Sequence, residues 1–190
     1  MRDRKVKCLL VTDHSDNLTG IITEEELSHA CLMAPQLIYS DIARSTSSNT
    51  LRGCFLNSRK MAISMLLGHA DPWSVSLHIS SAADALCRRI LEICIEETGE
   101  PPCRFAFIQT GSAGRKEQSL STDQDNAIIF ENMDGKLLDQ ASNYFQSLGK
   151  KVNSMLAEAG FHLCKGNNMA GNPKWCQPVD TWKRYFTDWI

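Results

Sequence analysis

The stretch GSAGRKEQSLSTDQDNAII, Gly111 to Ile129, decides how this chain is read. Arg104 to Thr110 before it alternates as a strand, with Phe105, Phe107 and Gln109 toward one side. Asn126 to Phe130, at its end, is a second, apolar strand. Between them Gly111-Ser112 and then Gly114 predict a turn with outward backbone N–H groups and a hydroxyl beside them, a cradle for phosphate oxygens. Arg115 and Lys116 add two cations, and an Arg can clamp a phosphate with two bonds. Asp123 follows, then Asp125. Residues two apart in extended chain face one side, so both carboxylates meet at the rim of the loop. That suits Mg2+ or Mn2+, which takes few protein oxygens and completes its shell with phosphate and water. The glycine spacing is not that of a Walker A loop. The Asp-x-Asp lacks the glycine and closing glutamate of an EF-hand.

Upstream, residues 37–99 read as helical. Leu51, Cys54, Phe55, Ser58, Met61, Ala62, Met65, Leu66 and His69 recur at helical steps until Gly68 and Asp71-Pro72 stop the pattern. A second helix carries Ile79, Ala82, Ala83, Leu86, Ile90, Ile93 and Cys94 up to Gly99, and the two are expected to pair antiparallel. His69 and His78, near helix ends, read as structural rather than metal-binding. Downstream, Lys136 to Ala159 is a long amphipathic helix capped by Gly160, and Phe161 to Cys164 reads as a short third strand. The Met169 to Pro173 loop and Trp175 are expected to wall the pocket. Trp182, Tyr185, Phe186 and Trp189 form an amphipathic tail. At the other end, residues 6–30 read as strand, turn, strand and helix, with Thr23 and Glu26 as a capping box. A unit this small cannot bury its own apolar side. Both ends of the chain read as cut.

These parts predict an α+β fold: a helical lead-in and then a small mixed sheet with flanking helices. The expected divisions are 1–30, 31–100 and 101–190. With 190 residues, 43% hydrophobic and 22% charged, the chain is long enough for a core without staples and ordinary enough to exclude fibrous or disordered classes. A net charge of −2 supplies no global field for nucleic acid, so no nucleic-acid partner is expected. Nor is a membrane expected, since no apolar run approaches the length of a span. With no export signal, the cytosol is the default. Eight cysteines without a CxxC pair read as reduced thiols, and His162, Cys164 and Cys176 match no common zinc spacing.

Gly111-Ser112, then Gly114-Arg115-x-Glu117-Gln118, then Thr122-Asp123-Gln124-Asp125-Asn126-Ala127, resemble the nucleotidyltransferase superfamily typified by DNA polymerase beta. The closest resemblance is to its DUF294 family, which is related to the N-terminal domain of PII-protein uridylyltransferase. It runs from about Ile38 to Ile190. It takes in Pro101 to Phe105 and the segment Cys164-x-Gly166-x-x-Met169-Ala170-x-Asn172-Pro173-x-Trp175. The resemblance implies that Gly111, Ser112, Gly114, Arg115 and Lys116 hold the nucleotide triphosphate. It implies that Glu117 fixes the loop and that Asp123 and Asp125 are the catalytic, metal-binding carboxylates. It further implies Mg2+-dependent transfer of a nucleoside monophosphate from an NTP, with UTP the suggested donor and a regulatory protein the suggested acceptor. Separately, LLVTDHSDNLTGIITEEEL, Leu9 to Leu27, resembles the closing half of a CBS motif. With half the pocket absent and Glu26 at the ribose-contact position, adenosine-nucleotide binding there is not expected.

One departure sets up a second reading. Superfamily members place a third carboxylate on a later strand, and no Asp or Glu occurs between Ala159 and Val179. A nucleotide-sensing module without turnover, coupled to the CBS-like segment, is therefore the alternative to the enzyme. The sequence leaves the base, the acceptor and the oligomeric state open.

Overall fold

A computed structural model describes residues 6–23, 26, 35–121 and 123–190. β1 (Cys8–Thr12) and β2 (Leu18–Thr23) form an antiparallel hairpin. Asp13 closes its turn by accepting the N–H groups of Ser15 and Asn17 at 2.8 and 3.0 Å. Leu10, Leu18 and Ile21 stand exposed on the hairpin, as expected of a unit that cannot cover itself. The capping box is present: Glu26 accepts from the Thr23 N–H at 2.8 Å, and Thr23 Oγ1 accepts from the Glu26 N–H at 3.1 Å. The rest of the expected helix after it lies outside the described residues.

The helical lead-in is α1 (Pro35–Arg44), α2 (Ser48–Leu67) and α3 (Pro72–Thr98). The stretch Ser45 to Thr50 splits the first two: Ser45 Oγ turns back to the Asp41 carbonyl at 2.7 Å, and Ser47 caps α2 by accepting from the Thr50 N–H. Asp71-Pro72 both ends one helix and starts the next, with Asp71 as N-cap and Pro72 in the first turn. Ser58 meets His78 and Ser45 meets Arg89, so α2 and α3 run antiparallel. His78 is a buried structural side chain between those helices.

β3 (Phe105–Gln109) pairs antiparallel with β4 (Asn126–Phe130), and β4 pairs parallel with β5 (Cys176–Pro178). The sheet is thus mixed and the fold α+β. α4 (Gly135–Ala159) ends at Gly160, whose φ of 115° needs glycine. Phe145 of α4 stacks on Phe130 at 4.9 Å between ring centroids and touches Phe105 at 5.0 Å. One hydrophobic core runs from Ile38 of α1 through Leu86 and Ile90 of α3, Ile128 and Phe130 of β4, and Leu148 and Val152 of α4. α5 (Val179–Trp189) buries Trp182, whose indole N–H donates to the Ile128 carbonyl at 3.2 Å.

The third strand differs from the expectation. Phe161 to Cys164 contributes one isolated bridge, His162 to Asp123, while the strand itself is Cys176–Pro178. Only Phe161 of the expected strand is buried, and Leu163 is 55% exposed, so the alternation after Gly160 never meets a second layer. The far edge of β4 is served by three separate pieces of chain. The His162 carbonyl takes the Gln124 N–H at 2.8 Å, the Asn168 carbonyl takes the Asn126 N–H at 3.0 Å, and β5 completes the edge.

Candidate active site

The loop after β3 is shaped by two glycines. Thr110 N–H donates to the Asp125 carbonyl at 2.9 Å, tying the loop to the entry of β4. A single helical turn, Gly111–Gly114, follows. Gly111 has a φ of +59°, and a Cβ on it would lie 2.7 Å from Asp125 Oδ2. The positive φ favours glycine, and the missing Cβ leaves the space in which the Asp125 carboxylate rests. A Cβ on Gly114 would lie 2.8 Å from the Gln109 carbonyl, so that position admits only glycine. The N–H groups of Gly111, Ser112 and Ala113 head the turn and have no intrahelical acceptor.

The next residues are stapled to one face of α3. Lys116 pairs with Asp84, Ser76 Oγ donates to the Gln118 carbonyl at 3.1 Å, and Gln118 N–H donates to Ser80 Oγ at 3.4 Å. Ser76, Ser80 and Asp84 lie four residues apart, one stripe of the helix. That spacing was legible in the sequence, but the apolar face of the same helix drew the reading. Arg115 Nε donates to Glu117 Oε2 at 2.8 Å, and both side chains are more than half exposed. Glu117 thus holds Arg115, Lys116 is engaged by Asp84, and Arg115 projects toward solvent.

Asp123, Gln124, Asp125 and Asn126 alternate. Asp123 is exposed and Asp125 half-buried, whereas Gln124 and Asn126 are 3% and 4% exposed. The two amides enter a network the sequence reading missed. Asn153 of α4 donates to Gln124 Oε1 and to Asn126 Oδ1, both at 2.9 Å. Asn126 Oδ1 also accepts the Ala170 N–H at 2.8 Å, and Asn153 Oδ1 accepts the Gly171 N–H at 2.8 Å. The loop sits tight on the helix, since a Cβ on Gly149 would fall 2.4 Å from the Ala170 carbonyl. A polar residue on the buried face of α4 was the available signal.

Asp123 and Asp125 line one small pocket with Gln109, Ala113 and Gln118, floored by Ala83, Cys87, Leu156 and Phe161. Burial pushes the Cys87 thiol up to about 11, which keeps it protonated and unreactive near neutral pH. Trp175 does not wall this pocket. It packs at 5.9 Å on Trp182 and 6.3 Å on Trp189, while the Asn168–Gly171 stretch of its loop reaches Asn126. Among the described residues no group of three or more His, Cys, Asp and Glu side chains is assembled to hold a metal, and the described cysteines are free thiols. Two carboxylates on an oxygen-bearing wall, with the thiol protonated, fit a hard cation better than a soft one. Among the described residues no helix is long and apolar enough to cross a membrane.

No curated protein and no solved structure matches the chain. A family model described as "Putative nucleotidyltransferase DUF294" matches residues 57–190, from within α2 to the last residue, and so spans the turn, both carboxylates, the amide network and β5. A match over well more than half the chain, centred on the loop whose glycines and aspartates fit together in space, makes this protein a member of the DUF294 nucleotidyltransferase family.

Proposed function

We propose that the chain is a divalent-cation-dependent nucleotidyltransferase that moves a nucleoside monophosphate from an NTP to an acceptor hydroxyl. The observation that carries this is the seating of the Asp125 carboxylate on Gly111, which joins the expected cation site to the expected phosphate turn. On this reading the N–H groups of Gly111 to Ala113 and the Ser112 hydroxyl orient the phosphate chain. Arg115, held by Glu117 until substrate arrives, exchanges its carboxylate for phosphate oxygens. Asp123 and Asp125 hold Mg2+ or Mn2+, which when bound offsets phosphate charge and polarises the reacting phosphorus. UTP as donor and a protein as acceptor are the finer form of the proposal, and the stretch Leu9 to Leu27 is read with it as the closing half of a regulatory CBS module.

The absence of a third acid between Ala159 and Val179 favours a second reading, a nucleotide sensor without turnover. Incubation of the chain with each labelled NTP and Mn2+ separates the two. Pyrophosphate release with label on an added acceptor supports the enzyme. Saturable NTP binding without release supports the sensor, and neither outcome with any NTP sinks both.

A further inference from the structure

Gln118 is 3% exposed, and its Oε1 is buried with no hydrogen-bond partner among the described residues. A buried carbonyl without a donor is an exception in folded proteins and calls for a cause. The backbone does not leave it there by accident. Ser76 and Ser80 of α3 pin the Gln118 carbonyl and N–H, so the side chain is aimed inward by two anchors. Gln118 lines the same small pocket as Asp123 and Asp125, and its cavity of about 20 Å³ has room for one water. The other buried amides there are occupied, Gln124 and Asn126 by the Asn153 network.

Resting on the cation reading of the aspartate pair, we propose that Gln118 is the third oxygen group of that site, its carbonyl accepting a hydrogen bond from a cation-bound water in the cavity. A neutral carbonyl then stands where a third carboxylate is absent. It lends an acceptor without adding charge, and Mg2+ or Mn2+, which keeps several of its waters, is matched to such a partner. Supporting groups of this kind typically change metal affinity 10- to 100-fold when removed.

Mn2+ titrations of the full chain, read from the paramagnetic resonance of the free ion, test this with four proteins: wild type, Gln118→Leu, Gln118→Glu and Asp125→Asn. Gln118→Leu is expected to lose about tenfold in Mn2+ affinity. In EDTA its melting temperature should hold or rise, because an unpaired buried polar atom is replaced by an apolar one. Gln118→Glu, which keeps the oxygen and adds charge, should bind Mn2+ more tightly than wild type. If Asp125→Asn loses Mn2+ while Gln118→Leu binds it like wild type, this assignment falls and the aspartate site stands. If wild type itself binds no Mn2+, both fall. Should Gln118→Leu fail to fold, Gln118→Glu decides: tighter binding supports the assignment, and equal or weaker binding overturns it.

Discussion

Gly111→Ala isolates the contact on which the functional reading rests. Alanine at a φ of +59° is strained, and its Cβ would meet Asp125 Oδ2 at 2.7 Å, where ordinary contact begins at 3.4 Å. The carboxylate must retreat by most of an ångström. Gly135→Ala is the matched control: its φ is +54°, and nothing lies within 4 Å of an added Cβ. Left-handed strain costs about 1–2 kcal/mol, which for a chain of this size is about 2–8 °C in melting temperature. Both variants should show that loss. Only Gly111→Ala should also weaken Mn2+ binding and slow NTP turnover, by about 100-fold if a displacement near 1 Å acts as it does in other active sites. Thermal denaturation in EDTA and Mn2+ titration give the two readouts. Equal melting shifts with unchanged Mn2+ affinity in Gly111→Ala would refute the seating of Asp125 on the turn, and with it the join between cation and phosphate sites.

Asp125→Asn, which keeps shape, should leave the melting temperature within a few degrees of wild type and abolish metal-dependent NTP turnover in a pyrophosphate-release assay. Asn153→Ala should cost about 2–4 kcal/mol, read by urea denaturation, because Gln124 Oε1 and the Gly171 N–H lose their buried partner. Lys116→Met should cost under about 1 kcal/mol in the same assay, since its pair with Asp84 is partly exposed. Burial holds the His78 imidazole below its usual 6.5 despite the Ser58 carbonyl, so the unfolded chain binds more protons at mildly acidic pH. The stability gained from a neutral His78 is complete above pH 6.5 and drains away as pH falls below it, and His78→Gln should flatten that slope in melts between pH 7.5 and 5.5.

Periodicity carried most of the fold. The apolar faces of α2, α3 and α4 and the Phe105/Phe107 side of β3 were legible because each buries against a single partner layer. β5 was not. Cys-Gln-Pro is too short to alternate, and Pro178 argues against a strand; it is tolerated because it ends a three-residue edge strand. Phe161 to Cys164 alternates on paper, but tertiary packing gives it a single bridge to Asp123. Trp175 misled for a related reason. A tryptophan beside a Gly/Asn/Pro loop suggests a pocket wall, yet Trp182 and Trp189 of the amphipathic tail recur at helical spacing and offer it an aromatic surface instead.

The site divides the same way. Glycines and aspartates announce themselves because few other residues tolerate their positions, whereas Gln118, Gln124, Asn126 and Asn153 look like ordinary polar residues until the chain is folded. Their burial follows from where the carboxylates stand. Asp123 and Asp125 stand just before β4, in a segment held on one side by the His162 bridge and the Asn168 carbonyl and on the other by the Thr110 N–H on the Asp125 carbonyl. The Gln124–Asn153–Asn126 triad stiffens it from below, fastening alternate residues of the same segment to α4. Amides fastened to α4 and carboxylates lining the pocket are thus two consequences of one extended tetrapeptide, and a change to either set should be felt by the other.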